Sequence, residues 1–258
     1  MSSVHPTAIV DPKCELGRDV VIGPYSVLDA GVIVGDGCRI GAHVVVEGQT
    51  RLGRSNTVHP YACLGTAPQD LKYDGTPTRL EIGDGNTIRE FATVNRGTVP
   101  GGGTTRVGSN NLLMAYSHVA HDCLIGDSVV MANAATLAGH VTISDFAIVG
   151  GLVAIHQHVR IGESAILGGG AMVSLDVPPF CTAAGDRAKL HGLNMVGLRR
   201  RGMSDATIDT IRAAYRILFQ SRLRLVDAVA RLRAEYPGCA EVMRMADFVS
   251  ASRRGICR

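Results

Sequence analysis

Aliphatic residues recur at every sixth position through most of this chain, and no other feature constrains its fold as strongly. The first series runs without exception from Val4 to Leu64. A short second series runs from Ile82 to Val94, and a third runs from Val107 to Val173. Chance does not maintain such a period over most of a chain. An internal period of this kind indicates a repeat architecture, in which each unit buries its apolar face against the next.

Two other positions of the hexad are also restricted. Glycine often follows the aliphatic residue, as at Gly23 and Gly126, which indicates that a crowding neighbour or a positive φ excludes larger residues. A small or β-branched residue stands four positions after the aliphatic one, as at Ser26, Ala62 and Cys123. Three hexads make a triangular turn that hydrogen-bonds to the next turn at about 4.8 Å. The sequence therefore predicts a mainly β protein, a left-handed parallel β-helix of hexapeptide repeats, which is an exception to right-handed crossovers.

The hexads are interrupted twice and then stop. Residues 65–81 contain two prolines and an Asp-Gly pair, so we expect a coil whose corners open into a protruding loop. Residues 95–106 contain three consecutive glycines without the context of a phosphate-binding loop, so we expect only a flexible excursion. Beyond the third series the pattern becomes helical, with Ser204 as an N-cap. We predict a β-helix domain over residues 1–185 and a C-terminal α-helical domain over residues 186–258.

Composition excludes several classes of protein. No apolar run approaches the roughly 20 residues that span a bilayer, and the Met-Ser-Ser-Val-His start does not resemble a secretory leader, so we expect a cytoplasmic protein. The seven cysteines are scattered and never spaced as Cys-x-x-Cys, which favours neither a disulfide framework nor a structural zinc site. Residues 186–258 carry 15 Lys+Arg against 7 Asp+Glu, although the whole chain is only +3. This basic region is expected to face an acidic partner.

Histidines recur at the corners of successive coils. His121 stands two positions after an aliphatic residue, which the hexad places outward at a corner, and His140 and His156 follow at intervals close to one coil. We expect a ladder with rungs about 5 Å apart. A single exposed histidine is usually only solvated, but a ladder beside a glycine-rich wall favours a function. Histidine accepts a proton from a hydroxyl if an acid orients it and a donor stabilises the oxyanion, and Asp122 and the Gly139 N–H are the candidates.

Other interpretations of these features remain open. Three neutral histidines converging between subunits would hold Zn²⁺ with an open position for water, as in the γ-class carbonic anhydrases built on this same helix. A zinc site would leave the loop and the basic helical region unexplained, and a purely structural coil would not need the ladder. Nucleic acid is another partner of basic patches, but aromatic stacking residues do not accompany the arginine cluster. The nitrogens available to a metal are those of His118, His121, His140, His156 and His158.

Several motifs occur in an order that resembles one family. Single hexads are shared by many transferases, whereas this ordered set with a helical C-terminus covers nearly the whole chain. The sequence resembles the bacterial acyl-carrier-protein–UDP-N-acetylglucosamine O-acyltransferases, which perform the first step of lipid A synthesis. The motifs are Val4–Val10, Gln69–Tyr73, Thr76–Arg79, Arg96–Thr98, Asn111–Met114, Ala120–Cys123, Ala135–His140, Ala154–Gln157, Asp176–Pro179 and Gly197–Gly202.

The resemblance implies a homotrimer with active sites between adjacent β-helices, no metal and no separate cofactor. A 3-hydroxyacyl group would pass from the phosphopantetheine thioester of acyl carrier protein to the 3-hydroxyl of the glucosamine of UDP-N-acetylglucosamine. His121 would be the general base, Asp122 its supporting acid, and the Gly139 amide the oxyanion donor. Acyl carrier protein is strongly acidic, which would give the basic C-terminal region its partner.

The same resemblance implies a set of binding residues. Asp70 and Lys72 would lie at the glucosamine and acyl-donor side of the cleft, with His118 nearby. Gly169 matches the position that measures acyl length, and its missing side chain predicts a groove open to a longer chain. His158 stands where the family more often has an aromatic residue. Neither the acyl length nor the choice between UDP-N-acetylglucosamine and its 3-amino analogue is fixed. The residues expected to contact the nucleotide, the sugar phosphates or the donor are His140, His156, Gln157, Asn194 and Arg200.

Overall fold

The computed structural model describes residues 2–258, and Met1, the first residue of the predicted β-helix domain, lies outside the described residues.

Short strands follow one another around a three-sided prism and form three sheets, A, B and C. Sheet A contains β1 (Ser3–Val4), β4 (Val21–Ile22), β7 (Arg39–Ile40), β10 (Thr57–Val58), β13 (Thr87–Ile88), β16 (Leu112–Leu113), β19 (Val130–Met131), β22 (Ile148–Val149), β25 (Ile166–Leu167), β27 (Cys181–Ala184) and β28 (Lys189–Leu193). Sheet B contains β2 (Ile9–Val10), β5 (Val27–Leu28), β8 (Val45–Val46), β11 (Cys63–Thr66), β14 (Thr93–Asn95), β17 (His118–Val119), β20 (Thr136–Leu137), β23 (Ala154–Ile155) and β26 (Met172–Val173). Sheet C contains β3 (Glu15–Leu16), β6 (Ile33–Val34), β9 (Gln49–Leu52), β12 (Arg79–Ile82), β15 (Thr104–Val107), β18 (Leu124–Ile125), β21 (Thr142–Ile143) and β24 (Arg160–Ile161).

The strands of successive coils pair in parallel, so that the aliphatic residues of the hexads stack directly on one another. Val119 pairs with Val94 of the coil before and with Leu137 of the coil after. The aliphatic hexad positions from Ile22 to Val173 are all buried, whereas Val4 in the first coil is 43% exposed. The predicted left-handed parallel β-helix is confirmed.

The corners explain the restricted hexad positions. The third residue after the aliphatic one adopts a left-handed conformation, with φ of 58° at Tyr25 and 59° at Asp122. The glycine that follows the aliphatic residue has no such φ, except Gly65 at the start of the first interruption; a Cβ at Gly35 would lie 2.4 Å from the backbone oxygen of Gly53 in the next coil. Of the two explanations offered for this glycine, crowding by the neighbouring coil is therefore correct.

The first interruption is an insertion at one corner. The strands on either side of residues 67–78 belong to sheets B and C, and both keep their place in the stacked coils. The expectation of a whole coil with opened corners is therefore wrong, because only the B–C corner is expanded.

The second interruption lies at the next B–C corner, between β14 and β15. Residues 96–103 include a short 3₁₀ helix, Val99–Gly101, with Thr98 at its N-cap. The Gly97 N–H donates to the Arg79 carbonyl at 3.0 Å, and the Arg79 N–H donates to the Gly103 carbonyl at 2.8 Å. The expectation of a merely flexible excursion is wrong, since these bonds fasten the segment to β12.

The C-terminal region forms a hairpin of β27 and β28 and then a bundle of helices. Ser204 caps the second helix, which begins at Asp205 as predicted. The chain end returns to the β-helix, where the Cys257 N–H donates to the Asp176 carbonyl at 2.8 Å. Among residues 2–258, no helix is long and apolar enough to cross a membrane. The helices are α1 (Met195–Arg200), α2 (Asp205–Tyr215), a π-helical turn (Arg216–Gln220), α3 (Leu225–Glu235) and α4 (Ala240–Ser250).

Candidate active site

The B–C corners of five successive coils form one edge of the prism, which we name the B–C ridge. It consists of loops 67–78 and 96–103 followed by residues 120–122, 138–140 and 156–158. The His140 N–H donates to the His121 carbonyl at 3.0 Å, and the His158 N–H donates to the Gly139 carbonyl at 3.1 Å. The predicted histidine ladder therefore lies along this ridge.

His121 and Asp122 form a buried pair at the centre of the ridge. The His121 Nδ1 lies 2.8 Å from Asp122 Oδ2, and the two residues are only 8% and 5% exposed. Adjacent residues of a strand point apart, but the left-handed conformation of Asp122 turns the two side chains towards each other. A carboxylate only accepts hydrogen bonds, so Nδ1 carries the proton and Nε2 is left as the basic nitrogen.

Residues of the preceding coil hold the Asp122 carboxylate in place. The Thr98 N–H donates to Oδ1 at 2.8 Å, and the Thr98 hydroxyl donates to Oδ2 at 2.6 Å. The Asp122 N–H donates to the Thr105 hydroxyl at 2.8 Å. Both carboxylate oxygens therefore have fixed partners, and the orientation of the His121 ring is fixed in turn.

Gly139 lies against the ring of His121. A Cβ at this position would stand 2.7 Å from Nε2, so no side chain fits there. The Gly139 N–H makes no hydrogen bond within residues 2–258. The equivalent hexad position holds proline, which has no N–H, at Pro24 and Pro60. Since the coil does not need this N–H, it remains free to stabilise negative charge beside the His121 nitrogen.

His140 lies on the rung above the buried pair. Its Nε2 is 3.8 Å from Asp122 Oδ2, and its ring stacks on His158 with centroids 4.5 Å apart. Burial lowers the pKa of His140, although the Asp122 charge opposes that shift. The ring is therefore mainly neutral at pH 7 and retains both a donor and an acceptor nitrogen.

His118 lies on β17 and faces outward from sheet B. Its Nδ1 is 2.7 Å from the Thr93 hydroxyl one coil before. Burial lowers the pKa of His118, and the nearby His121 lowers it further. His118 thus adds a second neutral imidazole close to the pair.

A divalent cation is a rival occupant of this centre. The donor atoms of His121, Asp122 and His140 lie within 4.8 Å of one another. Within residues 2–258 this set contains two histidines and a carboxylate, not the three histidines of the zinc hypothesis. The Asp122 oxygens already accept three hydrogen bonds, which suits an acid that orients a base better than an acid that ligates a metal.

Loop 67–78 is anchored at its base and folds beside sheet B. The Asn95 amide donates to the Thr66 hydroxyl at 2.8 Å. Arg96 donates to the Gly65 carbonyl at 2.7 Å and to the Tyr73 hydroxyl at 3.2 Å, with its guanidinium 5.6 Å from the Tyr73 ring centre. These contacts set the direction in which the loop projects.

An open cleft of about 790 Å³ lies between this loop and the surface of sheet B. The Asp70 carboxylate accepts the Lys72 N–H at 3.0 Å, which shapes the turn on the loop side. The cleft has room for part of a nucleotide sugar or an acyl chain. The predicted site residues that line it are Asp70, Lys72, His118, His121, Gly139 and Gln157.

Comparison with known proteins identifies the family to which this geometry belongs. A family model described as UDP-N-acetylglucosamine O-acyltransferase, domain 2, matches residues 176–257, and the bacterial transferase hexapeptide model matches residues 13–48. The acyl-[acyl-carrier-protein]–UDP-N-acetylglucosamine O-acyltransferase of Thermodesulfovibrio yellowstonii is 52% identical over 258 residues, with both chains fully covered. The enzyme of the same name from Trichlorobacter lovleyi is 53% identical, with 99% of each chain covered. This chain belongs to that O-acyltransferase family.

A solved structure agrees with this assignment. The UDP-N-acetylglucosamine O-acyltransferase of Moraxella catarrhalis RH4 superposes with a TM-score of 0.96 at 39% identity, and 99% of each chain is covered. The chain described here is thus an acyltransferase, and the site residues can be placed in that context.

Not every residue predicted for the O-acyltransferase site lies in the cleft. Asn194 is buried at the start of α1, where its side chain accepts the Gly197 N–H at 3.0 Å and donates to the Ser164 carbonyl at 2.9 Å. The Ser164 carbonyl places Asn194 at the C–A corner, whereas Arg200 is exposed at the end of α1. Gly169 is exposed at the A–B corner. One chain therefore distributes the predicted residues over all three edges of the prism.

His156 is exposed on the B–C ridge, and its Nδ1 lies 3.1 Å from Arg254 Nη2. The same Nδ1 lies 3.3 Å from the Gln157 carbonyl, so both contacts of the ring are made by one nitrogen. Arg254, which no sequence motif marked, reaches His156 from the C-terminal end, 98 residues away.

Thr98 was also missed as a site residue. It lies in the Arg96-Gly-Thr98 motif, so the sequence marked the position without indicating a role. Only the stacking of one B–C corner on the next shows that Thr98 faces Asp122.

Proposed function

We propose that this O-acyltransferase transfers a 3-hydroxyacyl chain from acyl carrier protein to the glucosamine 3-hydroxyl of UDP-N-acetylglucosamine, in the first step of lipid A synthesis. The observation that carries the proposal is the buried His121–Asp122 pair, whose basic nitrogen lies beside Gly139, a residue whose N–H makes no hydrogen bond within residues 2–258. An aligned base and oxyanion donor are the two elements that transfer of an acyl group to a hydroxyl requires. The same proposal places the enzyme in the cytoplasm.

In the proposed mechanism, His121 Nε2 removes the proton from the sugar 3-hydroxyl as that oxygen attacks the thioester carbonyl. The Gly139 N–H donates to the oxygen that becomes negative in the tetrahedral intermediate. The intermediate then expels the phosphopantetheine thiolate, which takes the proton back from the imidazolium. Asp122 stabilises that imidazolium without itself gaining a proton. The steps balance without a metal or a further cofactor.

The remaining predicted residues are proposed to bind the substrates. Asp70 and Lys72 project from loop 67–78 at one side of the cleft, and His118 and Gln157 line the sheet side. His140 would donate to the sugar or its phosphates as a neutral ring. His156 would add a further polar contact along the ridge. Open space at the exposed Gly169 would admit a longer acyl chain.

We propose that the active enzyme is a homotrimer. Asn194 lies at the C–A corner, whereas His121 lies at the B–C ridge of the same chain. A neighbouring subunit would bring its own C–A or A–B corner to the cleft and complete the site. Size-exclusion chromatography with light scattering is expected to give three times the chain mass of 27.2 kDa.

The basic helical region is proposed to receive acyl carrier protein. Arg200 and Arg216 are exposed and have no ion-pair partner within residues 2–258. Unpaired cations of this kind accelerate the approach of an acidic partner, and the acceleration falls as salt rises.

The experiment that tests the proposal combines product analysis with one substitution. Purified enzyme, UDP-N-acetylglucosamine and a panel of 3-hydroxyacyl carrier proteins are expected to yield the 3-O-acyl sugar nucleotide by mass spectrometry, and the panel reports the preferred length. A folded His121→Ala variant is expected to lose at least about a hundredfold in kcat. Full activity in that variant would refute the assignment of the base.

Metal removal separates the proposal from the zinc hypothesis. Activity is expected to survive exhaustive treatment with a chelator, and elemental analysis is expected to find no stoichiometric zinc. Loss of activity on chelation that added Zn²⁺ restores would favour the metal site at His121, Asp122 and His140 instead.

A further inference from the structure

Loop 96–103 reaches the proposed catalytic pair although none of its side chains lines the cleft. Thr98 provides two of the three hydrogen bonds that the Asp122 carboxylate accepts, and His121 provides the third. The Asp122 side chain is only 1% exposed, so water cannot readily replace a donor that is lost there.

We propose that Thr98 is a positioning residue of the acyl transfer, acting through Asp122 to hold the His121 ring in its productive orientation. The inference rests on the proposed function, in which His121 is the base. Oδ1 is bound by the Thr98 N–H, and Oδ2 is shared between the Thr98 hydroxyl and His121. A carboxylate bound at both oxygens by one residue cannot rotate about its axis without breaking both bonds.

The local geometry directs the hydrogen of the Thr98 hydroxyl to Asp122. Its oxygen accepts the Gly101 N–H at 3.3 Å, which leaves its own hydrogen for Asp122 at 2.6 Å. The short helical turn that follows Thr98 packs directly on the carboxylate, since a Cβ at Gly101 would lie 2.0 Å from the Asp122 carboxyl carbon. Loop 96–103, with its three consecutive glycines, therefore forms a cap on Asp122.

The first test removes the hydroxyl without changing the size of the side chain. Thr98→Val is expected to lower kcat by roughly tenfold or more, because a hydrogen bond to a buried charged group is lost. KM for both substrates is expected to stay within about twofold, since Thr98 does not line the cleft. Thr98→Ser restores the hydroxyl and is expected to recover most of kcat. If the valine variant fails to fold, Thr98→Ala makes the same comparison with the serine variant.

Thr104→Val is the matched control. Thr104 directly follows loop 96–103 as the first residue of β15, and its hydroxyl makes no hydrogen bond within residues 2–258. The kcat of the Thr104→Val variant is expected to equal that of the parent enzyme. An equal loss of kcat in both valine variants would overturn the proposal and indicate general damage to the segment.

A double-mutant cycle separates action through Asp122 from any other role. In an Asp122→Asn background, Thr98→Val is expected to lower kcat by less than about twofold, because the charge that Thr98 positions is already absent. Multiplicative losses in the double variant would overturn the proposal.

A fully active His121→Ala variant would contradict the proposed function. A fully active Thr98→Val variant beside an inactive His121→Ala variant contradicts this inference alone.

Discussion

The A–B and B–C corners of the β-helix use the same hexad position for different purposes. Where a ring or an acid occupies this position, the residue is left-handed at both corners, with φ between 55° and 65°. At the A–B corner five stacked rings, with centroids 4.9 to 5.0 Å apart, form what we name the A–B ladder. Its members are Tyr25, His43, Tyr61, Phe91 and Tyr116, and the matching residues of the B–C ridge are Asp122, His140 and His158.

His43 and His140 make the comparison direct. His43 is stacked between Tyr25 and Tyr61, and its ring makes no hydrogen bond within residues 2–258. His140 is stacked on His158 in the same way, but its Nε2 lies 3.8 Å from Asp122. Ring stacking is thus a general way to cover a corner. The reactive centre requires an acid, Asp122, on the coil before His140, and a loop inserted at the same corner one coil earlier still holds that acid.

The largest effect is expected at Gly139. Its φ is not in the left-handed range, so Gly139→Ala suits the backbone and is expected to leave the fold stable. The new Cβ would displace the His121 ring, and a shift of about 1 Å in a catalytic group costs on the order of a hundredfold in rate. Steady-state kinetics beside a thermal melt measures both properties. Full activity in a stable variant would mean that His121 does not work from its observed position.

The next largest effect is expected when histidine is replaced by phenylalanine on the B–C ridge, with the same replacement in the A–B ladder as the control. His140→Phe keeps the ring stack but removes both nitrogens, and we expect kcat/KM to fall by roughly tenfold through lost substrate hydrogen bonds. His43→Phe preserves the A–B ladder and is expected to change kcat/KM by less than about twofold. Equal losses in the two variants would erase the functional distinction between the corners.

The hexad pattern alone was enough to predict the scaffold. The period identified the inward aliphatic residues, which are buried from Ile22 onward, and the corner position of His121. This succeeded because the stacked coils hydrogen-bond in one fixed register, so sequence spacing translates directly into position. The helix beginning at Asp205 was equally predictable from its Ser204 cap.

The sequence could not give the contacts that depend on how inserted segments fold. Residues 67–78 and 96–103 break the period, so spacing no longer indicates where their side chains lie. The Asp122–His121 contact depends on a left-handed corner, because in a strand the two side chains would diverge. The sequence was sufficient to predict the Gly139 N–H as the oxyanion donor. The contact between Thr98 and Asp122 became visible only in the structure, where one B–C corner stacks on the next.

The A–B ladder itself is expected to affect stability rather than catalysis. Tyr61→Ala removes two stacked pairs, with His43 and with Phe91, each worth about 0.5–1.5 kcal/mol. We expect chemical denaturation to show a loss of about 1–3 kcal/mol in the free energy of unfolding, with kcat within about twofold of the parent. A large loss of kcat at unchanged stability and mass would show that the ladder takes part in the site.

The smallest effect concerns the pH dependence of stability at His118. Burial lowers the pKa of His118 below its ordinary value of 6.5, so the unfolded chain binds this proton more readily than the folded chain does. Stability is therefore lost as pH falls through about 6.5, and it is fully present above that value. His118→Gln retains a partner for the Thr93 hydroxyl but cannot be protonated. The melting temperature of this variant is expected to fall by a few degrees less than that of the parent between pH 8 and pH 5, with equal slopes above pH 7. A steeper loss in the variant would mean that the protonated ring is stabilised in the folded protein, which would place an unrecognised anion beside the B–C ridge.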